Sequence, residues 1–105
     1  MNKQVEKIIN KYGYLSERDD YYDIYIDNRC CEDYPICVEK GKTREEIEDI
    51  INQCDNFDVN EHFSLWFGAN RGEPKDVRTL LENCEEIGDK LDNLAQDLKS
   101  YLARY

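Results

Sequence analysis

The side chains able to do chemistry are few and scattered. His62 is the single histidine, and cysteines stand at Cys30, Cys31, Cys37, Cys54 and Cys84. Glu61 and Ser64 flank His62 in a stretch whose alternation predicts a strand. Neighbours on a strand point to opposite faces, so Glu61 and His62 form no ready acid–base dyad. A structural zinc site wants paired C-x2-4-C elements, whereas this chain has one cysteine cluster and a lone histidine. No metal or other cofactor is therefore expected. A ligand or metal module built on Cys30, Cys31, Cys37 and His62 is the alternative. Cys54 and Cys84 fall on apolar helical stripes and are expected in the core. No G-x-G-x-x-G, P-loop, H-E-x-x-H or G-x-S-x-G motif occurs, and DDYYDIYID lacks the central Gly and closing Glu of a calcium loop. No enzyme is expected. The odd cysteine count and the lack of a signal-peptide core in MNKQVEKIINKYGY predict reduced thiols in the cytoplasm.

The carboxylates carry more information. Asp and Glu number 24 against 14 Lys and Arg, a net charge of −10. That excludes a simple nucleic-acid binder, which needs a basic footprint, and disfavours docking on anionic membrane. No apolar run approaches the 18 or so residues of a membrane span. The charge is local: residues 17–73 hold sixteen acids and six bases, while residues 1–16 hold one acid and three bases. Asp19, Asp20, Asp23, Asp27, Glu32 and Asp33 are interleaved with Tyr21 and Tyr25. Such a strip can be a solvated face that keeps a small protein soluble. It can also compete with nucleic acid for a basic groove. Alternate strand residues stand about 7 Å apart, a spacing at which fixed carboxylates can imitate a phosphate track. Tyrosine adds rigid area that anchors interfaces. Asp19, Asp20, Tyr21, Asp23, Tyr25, Asp27, Glu32 and Asp33 are therefore the candidate partner-binding residues, and the expected partner is a basic protein such as a nuclease or effector complex.

With its DDYYDIYID strand, TREEIEDI helix and long amphipathic tail, the chain resembles the small acidic anti-defence proteins of phages and mobile elements, the anti-CRISPR and antirestriction proteins. The resemblance lies in size, charge and Tyr/Asp/Glu texture over the whole chain. It implies a non-enzymatic inhibitor that occupies the DNA- or RNA-binding surface of a nuclease or effector complex, or that glues effector copies together.

These side chains must be held by a small fold. A chain of 105 residues allows one domain, and its 24 Leu, Ile, Val and Phe residues supply one modest core. Val5, Ile8, Ile9 and Tyr12 predict a helix over residues 2–13. Residues 14–20 are polar and read as a link. Residues 21–27 alternate as a half-buried strand, with Tyr22, Ile24 and Ile26 inward and Tyr21, Asp23, Tyr25 and Asp27 outward. Residues 35–39 predict a second strand, held to an edge or a start by Pro35. Thr43 to Glu46 fits a capping box, and Ile47, Ile50, Ile51 and Cys54 predict a helix over 44–54. Phe63, Leu65 and Phe67 predict a third strand over 61–67.

Residues 74–105 carry an apolar heptad stripe, from Val77 and Leu80 through Cys84, Ile87, Leu91, Leu94 and Leu98. A helix of that length should overhang a small domain or break, and Gly88 is the expected break. The fold class is thus α+β: a small three-stranded sheet packed with helices in the order α-β-β-α-β-α, with a long C-terminal amphipathic helix. Leu91, Leu94, Leu98 and Leu102 are expected to outlast the core and to drive self-association, so a dimerisation or regulatory module is the alternative function. The expected core joins Tyr22, Ile24, Ile26, Ile47, Ile50, Ile51, Phe63, Leu65, Phe67, Leu80 and Leu81. On this pattern Leu65→Ala should destabilise by about 2–5 kcal/mol, as a denaturation midpoint would show.

Overall fold

The computed structural model describes residues 1–27, 34–69 and 77–104. The element order is α1 (Lys3–Asn10), β1 (Gly13–Glu17), β2 (Tyr21–Ile26), β3 (Tyr34–Glu39), α2 (Thr43–Asp55), α3 (Val59–Ala69) and α4 (Val77–Arg104). The three strands form one antiparallel sheet in the order β1-β2-β3. The α+β class and the long C-terminal helix are as expected, but the third strand is a different segment.

That strand is β1, in the stretch read as a link. Tyr14 pairs with Tyr25, Leu15 with Ile24 and Ser16 with Asp23. The alternation in GYLSE is short, and only the partner strand makes it decisive. Gly13 is required by close approach: a Cβ there would lie 1.8 Å from the Tyr25 carbonyl oxygen. Residues 61–67, expected as a strand, lie in helix α3. The cause is Asp58, whose Oδ1 accepts hydrogen bonds from the backbone N–H of Asn60 at 2.9 Å and Glu61 at 3.1 Å. That is a helix N-cap, and Asp58-x-x-Glu61 is its sequence signature. The edge such a strand would have joined is also occupied, because Gln53 of α2 donates from Nε2 to the Cys37 carbonyl at 2.8 Å.

Capping explains two other boundaries. The Asn2 side chain accepts from the Gln4 N–H at 2.7 Å and starts α1. At α2 the expected box forms by half: the Glu46 carboxylate accepts from the Gly41 N–H at 3.2 Å, while the N-cap position is Lys42 rather than Thr43.

The helices pack on one face of the sheet. The core joins Val5 and Ile9 of α1, Ile24 and Ile26 of β2, Ile36 and Val38 of β3, Ile47, Ile50, Ile51 and Cys54 of α2, and Ile87, Leu91, Leu94, Ala95 and Leu98 of α4. Tyr22 is buried beside it, as expected. Leu65 is not part of it: it is 65% exposed on α3, and Leu81 is 37% exposed. Phe63 is half-buried, and the side chains of Phe67 and Leu80 lie outside the described residues.

α4 does not break at Gly88. It is about 42 Å long at 1.5 Å per residue. The molecule measures 46 × 28 × 19 Å, so the helix spans its long axis. Gly88 is a contact, not a hinge. A Cβ there would meet Val59 Cγ2 at 3.2 Å and Phe57 Cε1 at 3.4 Å, where the start of α3 crosses α4. The seam expected to drive self-association is filled within the chain. Leu91, Leu94 and Leu98 are fully buried, and Leu102 is half-buried against the same core. The sheet, α1 and α2 cover that stripe, so Leu91, Leu94 and Leu98 offer no face to a second copy.

Leu94→Ala should therefore destabilise by about 2–5 kcal/mol, through lost transfer energy and a residual cavity. Leu65→Ala should change stability by no more than about 0.5 kcal/mol, the usual scale for an exposed site. Urea midpoints of the two variants check both; comparable losses would put Leu65 back in the core.

Candidate partner-binding surface

The helices cover one face of the sheet and leave the other open. Register places the side chains of that open face in rows. Tyr14, Tyr25 and Pro35 form one row, Ser16, Asp23 and Cys37 the next, and Tyr21 lies opposite Glu39. The Tyr14 and Tyr25 rings stack, with centroids 4.9 Å apart and planes inclined by 21°. Offset-stacked pairs of this kind add roughly 0.5–1.5 kcal/mol beyond their buried area. Tyr14 is 47% exposed and Tyr21 is 38% exposed, so the aromatic area faces solvent.

A guanidinium ties the rows together. Arg18 Nε lies 3.2 Å from Asp23 Oδ2. Hydrogen bonds to Tyr25 and then to Asp23 raise the Arg18 pKa, so its charge is held on this face. The pair is largely solvated, and its net worth to stability is small. Its effect is positional: it fixes Asp23 beside the Tyr25 ring.

The remaining expected residues rim this platform. Asp19 and Asp20 are exposed in the β1–β2 turn, which the Arg18 N–H closes onto the Tyr21 carbonyl at 2.9 Å. Asp27 is exposed just past β2; its N–H donates to the Tyr12 carbonyl at 2.9 Å, and its carbonyl accepts from Lys90 Nζ. Glu39 adds an exposed carboxylate at the far strand. Glu32 and Asp33 lie outside the described residues. Tyr21, Asp23 and Tyr25 thus share one face, with Asp19, Asp20 and Asp27 at its ends. Tyr14 and Arg18 were missed in the sequence. The signal for Tyr14 is the Tyr-Leu-Ser alternation, which sets it on the face of Tyr25 once β1 is recognised as a strand.

The cysteines and His62 do not converge. Among the described residues no group of three or more His, Cys, Asp or Glu side chains could hold a metal ion. Cys37 is exposed on the open face, while Cys30 and Cys31 lie outside the described residues. Cys54 and Cys84 are buried, as expected. Burial, then the nearby Asp55 and Asp92 carboxylates, pushes the Cys54 thiol up to about 12, so it stays protonated and unreactive. His62 lies on α3, its ring tilted against Phe57 at 5.4 Å. No helix among the described residues is long and apolar enough to cross a membrane. No family model, characterised protein or solved structure matches the chain.

Burial also lowers the His62 pKa below its ordinary 6.5. The fold favours the neutral ring, so the unfolded chain takes up the proton first as pH falls. The contribution of His62 to stability is complete above pH 6.5 and is lost as pH drops below it. Thermal melts at pH 7.5 and 5.5 should show a larger drop for the natural chain than for His62→Gln. Parallel drops would mean that the neutral ring contributes nothing.

Proposed function

We propose that this is a non-enzymatic, cytoplasmic acidic binding protein that inhibits a basic nucleic-acid-handling protein by occupying its DNA- or RNA-binding surface. The observation that carries this reading is the uncovered sheet face, with stacked Tyr14 and Tyr25 and with Tyr21 at its centre and Asp19, Asp20, Asp23, Asp27 and Glu39 around it. Interfaces are anchored by rigid aromatics in a desolvated centre, and their charged rims set the rate and the choice of partner. A rim of one sign selects a surface rich in Arg and Lys. On proteins that handle nucleic acid, that surface is the groove that neutralises phosphates, and such grooves stack bases on aromatic side chains. The likeness in texture to phage anti-defence inhibitors agrees with this. Self-repulsion among the carboxylates costs the free protein stability, which a basic partner offsets in the complex.

The immobilised chain should retain from lysate proteins that also bind DNA or RNA, and added nucleic acid should displace them at constant salt. Asp19→Lys with Asp20→Lys should slow association with the retained protein by tenfold or more at low salt, through lost steering. Tyr25→Ala should cost about 2 kcal/mol or more of affinity with little salt dependence, because it removes packed area. Glu82→Lys with Glu85→Lys on α4 is the charge-matched control. Retention that nucleic acid does not disturb, or equal losses at sheet and α4, would remove the proposal.

A further inference from the structure

The basic charge of this acidic chain is as localised as its acid. Lys3, Lys7 and Lys11 recur every four residues, so they share one face of α1 at steps of about 6 Å. All three are exposed, while Val5 and Ile9 on the other face are buried. The end of α4 lies alongside. The Tyr12 hydroxyl donates to Asp97 Oδ2 at 2.6 Å, and Asn2 Nδ2 donates to the Tyr101 hydroxyl at 3.2 Å. The bond to Asp97 raises the Tyr12 hydroxyl to about 12, so it remains a donor at any physiological pH. These two bonds fix the valley between the helices.

That valley holds a hollow of about 920 Å³, lined chiefly by Lys3, Lys7, Lys11, Ile8, Tyr101 and Arg104. No carboxylate lines it, in a chain of net charge −10. Asp97 stands at its edge, with Lys11 Nζ at 3.5 Å. The half-buried Ile8 and Tyr101 supply apolar surface between the cations.

We propose that this valley is a docking site for an amphipathic α-helix of a partner protein, with an acidic flank against Lys3, Lys7 and Arg104 and an apolar edge on Ile8 and Tyr101. Two features select this occupant. Carboxylates spaced i, i+4 on a helix repeat every 6 Å or so, the same step as the lysines, and a valley between two helices is the shape that receives a third. A phosphate backbone would answer the cations but make no use of Ile8. The site lies on the helical side of the molecule and does not depend on what binds the open sheet face.

The test uses the full chain and two fluorescent alanine-based helical peptides of 16 residues. Both carry Leu at i, i+4 and i+8; one has Glu on the adjoining flank at the same spacing and the other has Gln. At 50 mM NaCl the Glu peptide should bind, and Lys3→Gln with Lys7→Gln should weaken it at least tenfold without altering the thermal melt. The same net charge change at Lys42→Gln with Lys99→Gln should weaken it less than twofold. Raising NaCl to 300 mM should weaken binding of the natural chain more than that of the Lys3/Lys7 variant. Absence of Glu-peptide binding at millimolar concentration overturns the proposal, as does equal binding of the Gln peptide. Tighter binding of a 20-nucleotide oligothymidylate than of the Glu peptide would assign the valley to phosphate and also overturn it.

Discussion

The structure depends on covering the apolar stripe of α4. Cys84, Ile87, Leu91, Leu94 and Leu98 lie on one side of a single 28-residue helix and are all withdrawn from water. No single element of this chain is long enough to cover that length. α2 and the start of α3 take one end, β2 the middle, and α1 the other end, where Tyr12 and Asn2 bond to Asp97 and Tyr101. Burial of each large aliphatic side chain is worth about 1.5–3 kcal/mol, so this stripe outweighs the surface ion pairs.

The same constraint leaves the binding surfaces where they are. All four helices are needed on the stripe side, so none remains for the second face of the sheet. That face carries Tyr14, Tyr21 and Tyr25, whose rings tolerate water at their polar tips, and carboxylates that could not be buried unpaired without a cost of several kcal/mol. The valley between α1 and the end of α4 arises from the same packing. α1 is short and turns only Val5 and Ile9 fully inward, so its lysine face stays outside.

Electrostatics follows rather than directs the fold. Within α2 and α4, Arg44–Glu48, Arg78–Glu82 and Lys90–Glu86 are i, i+4 pairs at 3.0, 3.2 and 3.5 Å. Lys40–Glu17, Lys11–Asp97 and Lys99–Asp55 join separate elements at 3.0, 3.5 and 3.3 Å. Each is solvated and worth at most about 1 kcal/mol. Together they place the few cations beside the many carboxylates and leave the rim of the sheet and the outer side of α2 acidic.

The sequence by itself determined the elements whose apolar period is long or clean. The stripes of α2 and α4 and the alternation of β2 are local facts, since a face with that period must be buried somewhere. It also determined the outward set of Tyr21, Asp23 and Tyr25, because strand parity alone divides them from Tyr22, Ile24 and Ile26. Tertiary structure decided what shares a surface or a core. The five residues of β1 have too short an alternation to be read alone, and pairing with β2 made them a strand that set Tyr14 on Tyr25. Residues 61–67 alternate, yet Asp58 caps a helix there and α4 offers it a place at Gly88, so two local signals conflicted and packing chose between them. The leucines of α4 looked like an exposed seam because a stripe shows that it must be covered but not by which segment. That choice depends on contacts between residues far apart in the chain, and no local pattern records them.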